Sequence, residues 1–190
     1  AALMKGRMES HRGKKILLLG SGTFEPYSFG ATHKEAQITA VDLSRKSLAK
    51  AKWRCRLRAV TNVRFVQSEI VDFAHETNER YDYIHSFGVL HHLPEPAEGF
   101  RAIAKLLKPE GFARVMVYEK ISRERTQDIQ KLGRLLGFTN QTRQNISDLK
   151  DLILNLPKGH PMKVSFMTNP EGLNPAGFVD AFLHAQEISF

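Results

Sequence analysis

Apolar residues fall along this chain in two patterns. Ile16 to Leu19 is a continuous apolar run too brief for a typical helix and stopped by Gly20, Ile38 to Val41 is a second short apolar run, and Val63 to Val66, Tyr81 to Ser86 and Phe112 to Tyr118 are short segments rich in β-branched and aromatic residues. All five predict strands, the first of them in a parallel sheet covered on both faces. Between them apolar positions recur every three or four residues, the helical period. Glu25 to Thr32 predicts a brief or distorted helix, with Pro26 acceptable only in a first turn and Gly30 ending it. Ser44 is a plausible N-cap for a helix that buries Leu48, Ala51, Cys55 and Ala59. Pro94 and Pro96 start another, with Phe100, Ile103, Ala104 and Leu107 as its stripe and Lys108-Pro109-Glu110-Gly111 as the turn that ends it. Gln67 to Ile70 reads as a loop after the third strand, and Ala74 to Arg80 as a segment of lower order. Five strands with intervening helices describe a doubly wound α/β sheet.

Beyond Tyr118 the pattern turns helical. Ile129, Leu132, Leu135 and Leu136 mark one helix; Leu149, Leu152, Ile153 and Leu156 mark a second beginning near Ser147; Phe178 and Phe182 belong to a third. Lys158 to Asn174 looks loop-like, with Val164-Ser165-Phe166 as a short strand. The expected organisation is a lead-in over residues 1–14, a main domain over 15–118, and a helical extension of that domain over 119–190.

The first strand runs into Gly20-Ser21-Gly22, a turn where glycines permit backbone angles barred to other residues and let a ligand approach the main chain. About twenty residues later, at the end of the second strand, stands Asp42, where nucleoside-binding βαβ units place the carboxylate that holds ribose hydroxyls. A dinucleotide fingerprint needs a third glycine, and Glu25 occupies that position. A carboxylate beside a pyrophosphate would repel it, which disfavours NAD. A nucleoside carrying a cationic sulfonium and no phosphate meets no such penalty.

Composition narrows the class further. The chain has 190 residues, 42% hydrophobic and 25% charged, as in globular proteins, and no apolar run approaches the roughly 20 residues of a membrane span, so no membrane partner is expected. Its first residues are polar and basic, unlike a secretory signal. Cys55 is the only cysteine, which rules out a disulfide within this chain, makes cysteine metal sites improbable and points to the cytoplasm. The net charge of +8 keeps polyanions in play as partners. Lys46, Lys50, Arg54 and Arg58 align at i, i+4 on one helix, with Lys52 and Arg56 beside them. A solvated face is the plainer reading, because Trp53 stands alone there while single-strand binders stack bases on several rings.

Five segments in order resemble the class I S-adenosylmethionine-dependent methyltransferases. ILLLGSGT is similar to their glycine-rich motif, AVDLS to the acidic end of strand two, and FVQSEI to the segment after strand three; DYIHSFGVLHHL and LLKPEG are similar to the strand-four motif and the turn before strand five. Residues 119–190 resemble the tail of an uncharacterised bacterial branch. The resemblance implies a Rossmann-like sheet of order 3-2-1-4-5, C-terminal helices, and S-adenosyl-L-methionine as cofactor. It further implies that Gly20, Ser21 and Gly22 face the methionine and ribose portions and that Asp42 accepts from both ribose hydroxyls. Leu43 would pack on adenine, Glu69 would bond its amino group, Ile70 would offer a backbone N–H to the ring, and Ser86 and Phe87 would line the methyl-donor end. Two positions depart from the pattern: Leu18 stands where family members carry an acid reaching the cofactor's amino group, and Phe24 replaces the motif's third glycine.

Methyl transfer is an in-line displacement on an already activated carbon, so alignment is the main task of the protein. His91 and His92 are candidate general bases; the plainer reading makes one a cap of the next helix and leaves the other facing solvent. No Cys/His cluster has metal-ligand spacing, so no metal is expected. The acceptor is expected to be a small molecule or protein, the alternatives being RNA or a cofactor-binding module without transfer activity; no N-P-P-Y-type motif follows strand four. Only Val164–Phe166 and Ile188–Phe190 are available for a final antiparallel strand pair, so the sheet is expected to be incomplete, or its fifth strand covered by the C-terminal helices.

Overall fold

The computed structural model describes residues 13–118, 123–138, 142–168 and 175–183. Two compact units divide the chain, Ala1–Met116 and Val117–Phe190. The first holds a five-stranded parallel sheet, β1 Lys15–Leu19, β2 Gln37–Asp42, β3 Val63–Gln67, β4 Tyr81–Phe87 and β5 Leu107–Met116, in the order β3-β2-β1-β4-β5. Its helices are α1 Glu25–Thr32, α2 Arg45–Leu57, α3 Ile70–Glu76 and α4 Pro96–Leu106. The strand order and α/β architecture are those expected from the sequence.

β1 is central because its apolar run can be covered on both faces, and Ile16 to Leu19 are at most 2% exposed. Ile16 and Leu18 share one face with Ala36 and Ile38, under Phe29 of α1 and beside Tyr83 of β4. At the N-terminal ends of the strands, Asp82 accepts from the Lys15 N–H and from Lys108 Nζ, both at 2.8 Å, tying β1, β4 and β5 together. Burial works against ionisation of Asp82, but the Lys108 and Lys15 hydrogen bonds and the Lys108 and Lys14 charges outweigh it and hold its pKa below the usual value.

Five elements differ from the sequence expectation. Ala74 to Arg80 is not disordered at its start: α3 runs from Ile70 to Glu76 and buries Ile70, Phe73 and Ala74, a stripe shorter than two turns and so hard to separate from a loop. Lys108 to Gly111 is not a turn but the first part of β5, whose edge position tolerates Pro109 and whose pairing shifts register between Tyr81 and Tyr83. α4 buries Gly99, Ala102, Ile103 and Leu106, leaving Phe100 exposed. Its rotation places Gly99 against the preceding turn, where a Cβ would stand 2.6 Å from Leu93 Cδ1 and 2.9 Å from Leu90 Cδ2, so a larger residue would require these side chains to shift. α1 continues through Gly30 to Thr32, and Ala59 lies outside the α2 stripe, exposed and at φ 51°.

The second unit is helical: α5 Glu124–Leu135, α6 Arg143–Leu154, α7 Pro161–Thr168 and α8 Pro175–Phe178, continued by a π turn over Val179–Leu183. Its core joins Ile129, Leu149, Ile153, Phe166, Phe178 and Phe182. Leu135 and Leu136 are exposed instead of buried. α6 begins at Arg143, capped by Thr142 Oγ1 accepting from the Asn145 N–H, and not near Ser147. Val164 to Phe166, expected as a strand, lies in α7, because Phe166 reaches the helical core from that face. The other segment considered for a strand, Ile188 to Phe190, lies outside the described residues, as do residues 1–12 of the lead-in. No helix among the described residues is long and apolar enough to cross a membrane.

Candidate functional site

The C-terminal ends of β1, β2 and β4 bring most of the candidate residues together, as the parallel register requires. Gly20 and Gly22 take φ values of 66° and 59°, the left-handed region that favours glycine. They differ in surroundings. A Cβ on Gly20 would meet Val89 Cγ2 at 2.4 Å, whereas one on Gly22 would enter open space. Gly20 is therefore a packing glycine, and Gly22 faces open space. Between them the Ser21 N–H donates to the Val41 carbonyl at 3.0 Å, stitching the turn to β2.

Asp42 holds this arrangement. Its Oδ2 accepts from the Gly22 N–H at 2.7 Å and its Oδ1 from the Ser44 N–H at 2.8 Å, so one carboxylate fixes both the glycine turn and the start of α2. Ser44 in turn caps that helix, its Oγ accepting from the Ser47 N–H. Asp42 is only half-buried, and each of its oxygens, accepting one of these bonds, has a further lone pair. Leu43, 63% exposed, projects beside it. Glu69 is exposed at the N-cap of α3 without capping it through its side chain. Ile70 opens that helix with a buried side chain, and its N–H is among those with no acceptor inside the helix.

Three buried oxygens around the turn, Ser21 Oγ, Ser86 Oγ and Glu25 Oε2, have no hydrogen-bond partner among the described residues. Buried polar atoms are ordinarily satisfied, so a cluster of orphans beside an open glycine suits a polar ligand. Ser86 follows His85, which pairs with Leu18 across β1 and β4. Phe87 is partly exposed at the end of β4, with the Arg114 guanidinium 5.3 Å from its ring centre.

A relay of polar side chains escaped the sequence reading. Glu25 Oε1 lies 3.2 Å from His85 Nε2, and His85 Nδ1 lies 3.2 Å from the Tyr83 hydroxyl. His85 is 5% exposed and stacks on Phe87. Burial pushes the Tyr83 hydroxyl pKa up, partly offset by the Arg114 charge and reinforced by Glu25. The signal was the alternation Tyr83-His85-Phe87, which puts all three on one face of a strand.

His91 and His92 occupy a 3-10 turn, Leu90–His92, their rings 4.1 Å apart. His91 is fully buried and His92 half-buried, so neither faces solvent as the plainer reading had it. Nor does either cap α4, whose N-cap residue is Glu95. A cavity of about 490 Å³ lies at the other end of the sheet, lined by Lys15, Gln37, Asn62, Arg64, Glu79 and Tyr81 among others, and holds none of the candidate residues. Its charges are already paired, Glu79 bridging Lys15 and Arg64 at 3.2 and 2.8 Å.

A family model described as "Methyltransferase domain" matches residues 10–152. An uncharacterised protein of a Synechococcus strain is 30% identical over the whole chain, which covers 46% of that relative. A ubiquinone biosynthesis O-methyltransferase of Vibrio campbellii is 32% identical over 52% of the chain and 41% of its own length. The chain thus spans less than half the length of these curated relatives. Among solved structures, PKMT2 from Rickettsia typhi superposes with a TM-score of 0.69 at 19% identity, over 95% of this chain and 36% of that one, and has also been solved in complex with AdoHcy. YcgJ from Bacillus subtilis gives 0.54 at 21% identity, over 70% of this chain and 57% of its own.

Proposed function

The chain belongs to the methyltransferase-domain family, and from that premise we propose that it is an S-adenosylmethionine-dependent methyltransferase acting on a small-molecule or protein acceptor. The observation that carries the reading is the Asp42 carboxylate, held by the Gly22 and Ser44 amides at the mouth of an open glycine turn. S-adenosylmethionine, when bound, supplies a methyl group already activated by its sulfonium.

The chain's own residues then bind and orient. Asp42 accepts from the ribose hydroxyls, and Gly20, Ser21 and Gly22 line the neighbouring main-chain wall. Leu43 offers an apolar surface for adenine, with Glu69 and the Ile70 N–H at its polar edge. Ser86 and Phe87 border the methyl-donor end. Leu18 is fully buried and reaches nothing outside the core, so the carboxylate for the cofactor's ammonium comes from Glu25, whose unpartnered Oε2 lies beside the same turn. His85 holds the other oxygen of Glu25 and fixes its direction. His92 is the remaining candidate base, since His91 is enclosed.

Calorimetry with S-adenosylhomocysteine tests the binding half: saturable binding that weakens about tenfold or more in Glu25→Gln is expected. Label transferred from tritiated S-adenosylmethionine into the small-molecule or protein fraction of an extract tests turnover. Binding without any transfer would favour a non-catalytic cofactor module, and transfer into the RNA fraction would replace the proposed acceptor class. Absence of binding by the folded protein would remove the assignment.

A further inference from the structure

The outer face of α2 is not needed to hold the cofactor turn, and its chemistry is unusual. Lys46, Lys50, Trp53 and Leu57 follow one another at four-, three- and four-residue steps, which places them on one stripe, opposite the buried Leu48, Ala51 and Cys55. All four are exposed, Trp53 at 62% and Leu57 at 61%. Arg45, Lys52 and Arg56 flank the stripe, also exposed, and the helix carries no acidic residue. The expected i, i+4 row of cations is split in the structure. Arg54 turns aside to donate to the Thr23 carbonyl at 3.2 Å and to lie over Phe24, and Arg58 lies over Tyr27. Phe24, under the Arg54 guanidinium, is itself 57% exposed.

We propose that this face of α2 docks the protein on an anionic phospholipid surface, with Trp53 and Leu57 entering the interface and Lys46, Lys50 and the flanking cations pairing with headgroups. A solvated face has no use for two large apolar side chains projecting in line with two lysines. An interface does: indole sits at headgroup depth, leucine reaches toward the acyl boundary, and long cationic side chains keep their charges in the headgroup layer. Each cation near such a surface strengthens binding roughly fivefold, so the charge of α2 alone suffices for reversible attachment. RNA fits less well, because a convex helix face with one indole offers no series of rings for successive bases.

Trp53 is the chain's only tryptophan, so its emission reports this face alone. The test is sedimentation of the full chain with vesicles of phosphatidylglycerol and phosphatidylcholine in equal parts, against phosphatidylcholine alone, with the emission spectrum recorded in parallel. Binding to the anionic vesicles only, with a blue shift, is expected. Lys46→Glu with Lys50→Glu should weaken it by roughly 25-fold or more, and Leu57→Ser by roughly tenfold with a smaller blue shift. Circular dichroism and S-adenosylhomocysteine binding unchanged in these variants keep the result separate from the fate of the proposed activity. Absence of vesicle binding, binding without an emission shift, or tighter binding to polyuridylate than to the anionic vesicles would overturn the proposal.

Discussion

Replacing Asp42 by alanine separates the two tasks of one carboxylate. In the folded chain it accepts from two backbone amides, at 2.7 and 2.8 Å, and both lose their acceptor. Hydrogen bonds to a charged group are worth about 1.5–3 kcal/mol each. The residue is half-buried, so water replaces part of each bond, and the folding cost should fall near the lower figure for the pair, about 1.5 kcal/mol. For a chain of this length that lowers Tm by about 3–6 °C. Cofactor binding loses the acceptor for two ribose hydroxyls, about 3 kcal/mol at the same lower value, or about 150-fold in Kd. Asp42→Asn keeps the volume but turns an amide NH₂ toward one of the two backbone donors, so it should lose affinity and stability together. The assay is calorimetry with S-adenosylhomocysteine at a temperature well below both melting points, with NAD titrated in parallel and expected not to bind. A folded Asp42→Ala protein binding S-adenosylhomocysteine within twofold of the parent would refute the ribose assignment, whatever the effect on Tm.

The two glycines of the turn should respond differently to alanine. Gly22→Ala adds about 1–2 kcal/mol of left-handed strain without a clash, yet puts a methyl into the cleft, so binding should fall far more than stability; Gly20→Ala meets Val89 and should destabilise by about 2–4 kcal/mol, read by denaturant melts. Leu18→Asp should cost stability without tightening S-adenosylhomocysteine binding, since position 18 is fully buried in the core; a folded variant that binds more tightly would move the ammonium-binding role from Glu25 to position 18. Acid should loosen the sheet through Asp82. Its pKa is depressed in the folded state, so its contribution is complete above the usual 3.8 and is lost as pH falls through the lower folded value; Asp82→Asn should flatten the unfolding free energy below about pH 4 in urea melts at successive pH values.

The sheet was legible because β1 carries an uninterrupted apolar run that water cannot face from either side, because β2, β3 and β4 are short segments rich in β-branched and aromatic residues, and because Gly20 and Gly88 follow β1 and β4. Ser44, Gly20, Gly22 and Asp42 were legible as a group for the same local reason: turn geometry and capping are properties of a few adjacent residues. What escaped was set by partners distant in sequence. The phase of α4 depends on Gly99 meeting Leu90 and Leu93. The turn-like Lys108 to Gly111 joins a strand because β4 supplies a neighbour. The Glu25–His85–Tyr83 relay joins residues 60 and 2 positions apart, and only the pairing of β4 with β1 beneath α1 brings the first pair together.

The central place of β1 also bears on how the chain reaches its native state. β1 finds β2 across 22 positions, from Ile16 to Ile38, but finds β4 across 67, from Ile16 to Tyr83. Closing the longer loop costs about 1 kcal/mol more in chain entropy. The half containing β1, β2 and β3 should therefore assemble first and wait for β4 to dock, leaving the flank of β1 that carries the future cofactor cleft open during synthesis. In pulse-labelling hydrogen exchange, amides of Ile38 to Val41 should gain protection before those of Tyr83 to His85. The ligand-binding groove would then be the seam along which two folding halves close.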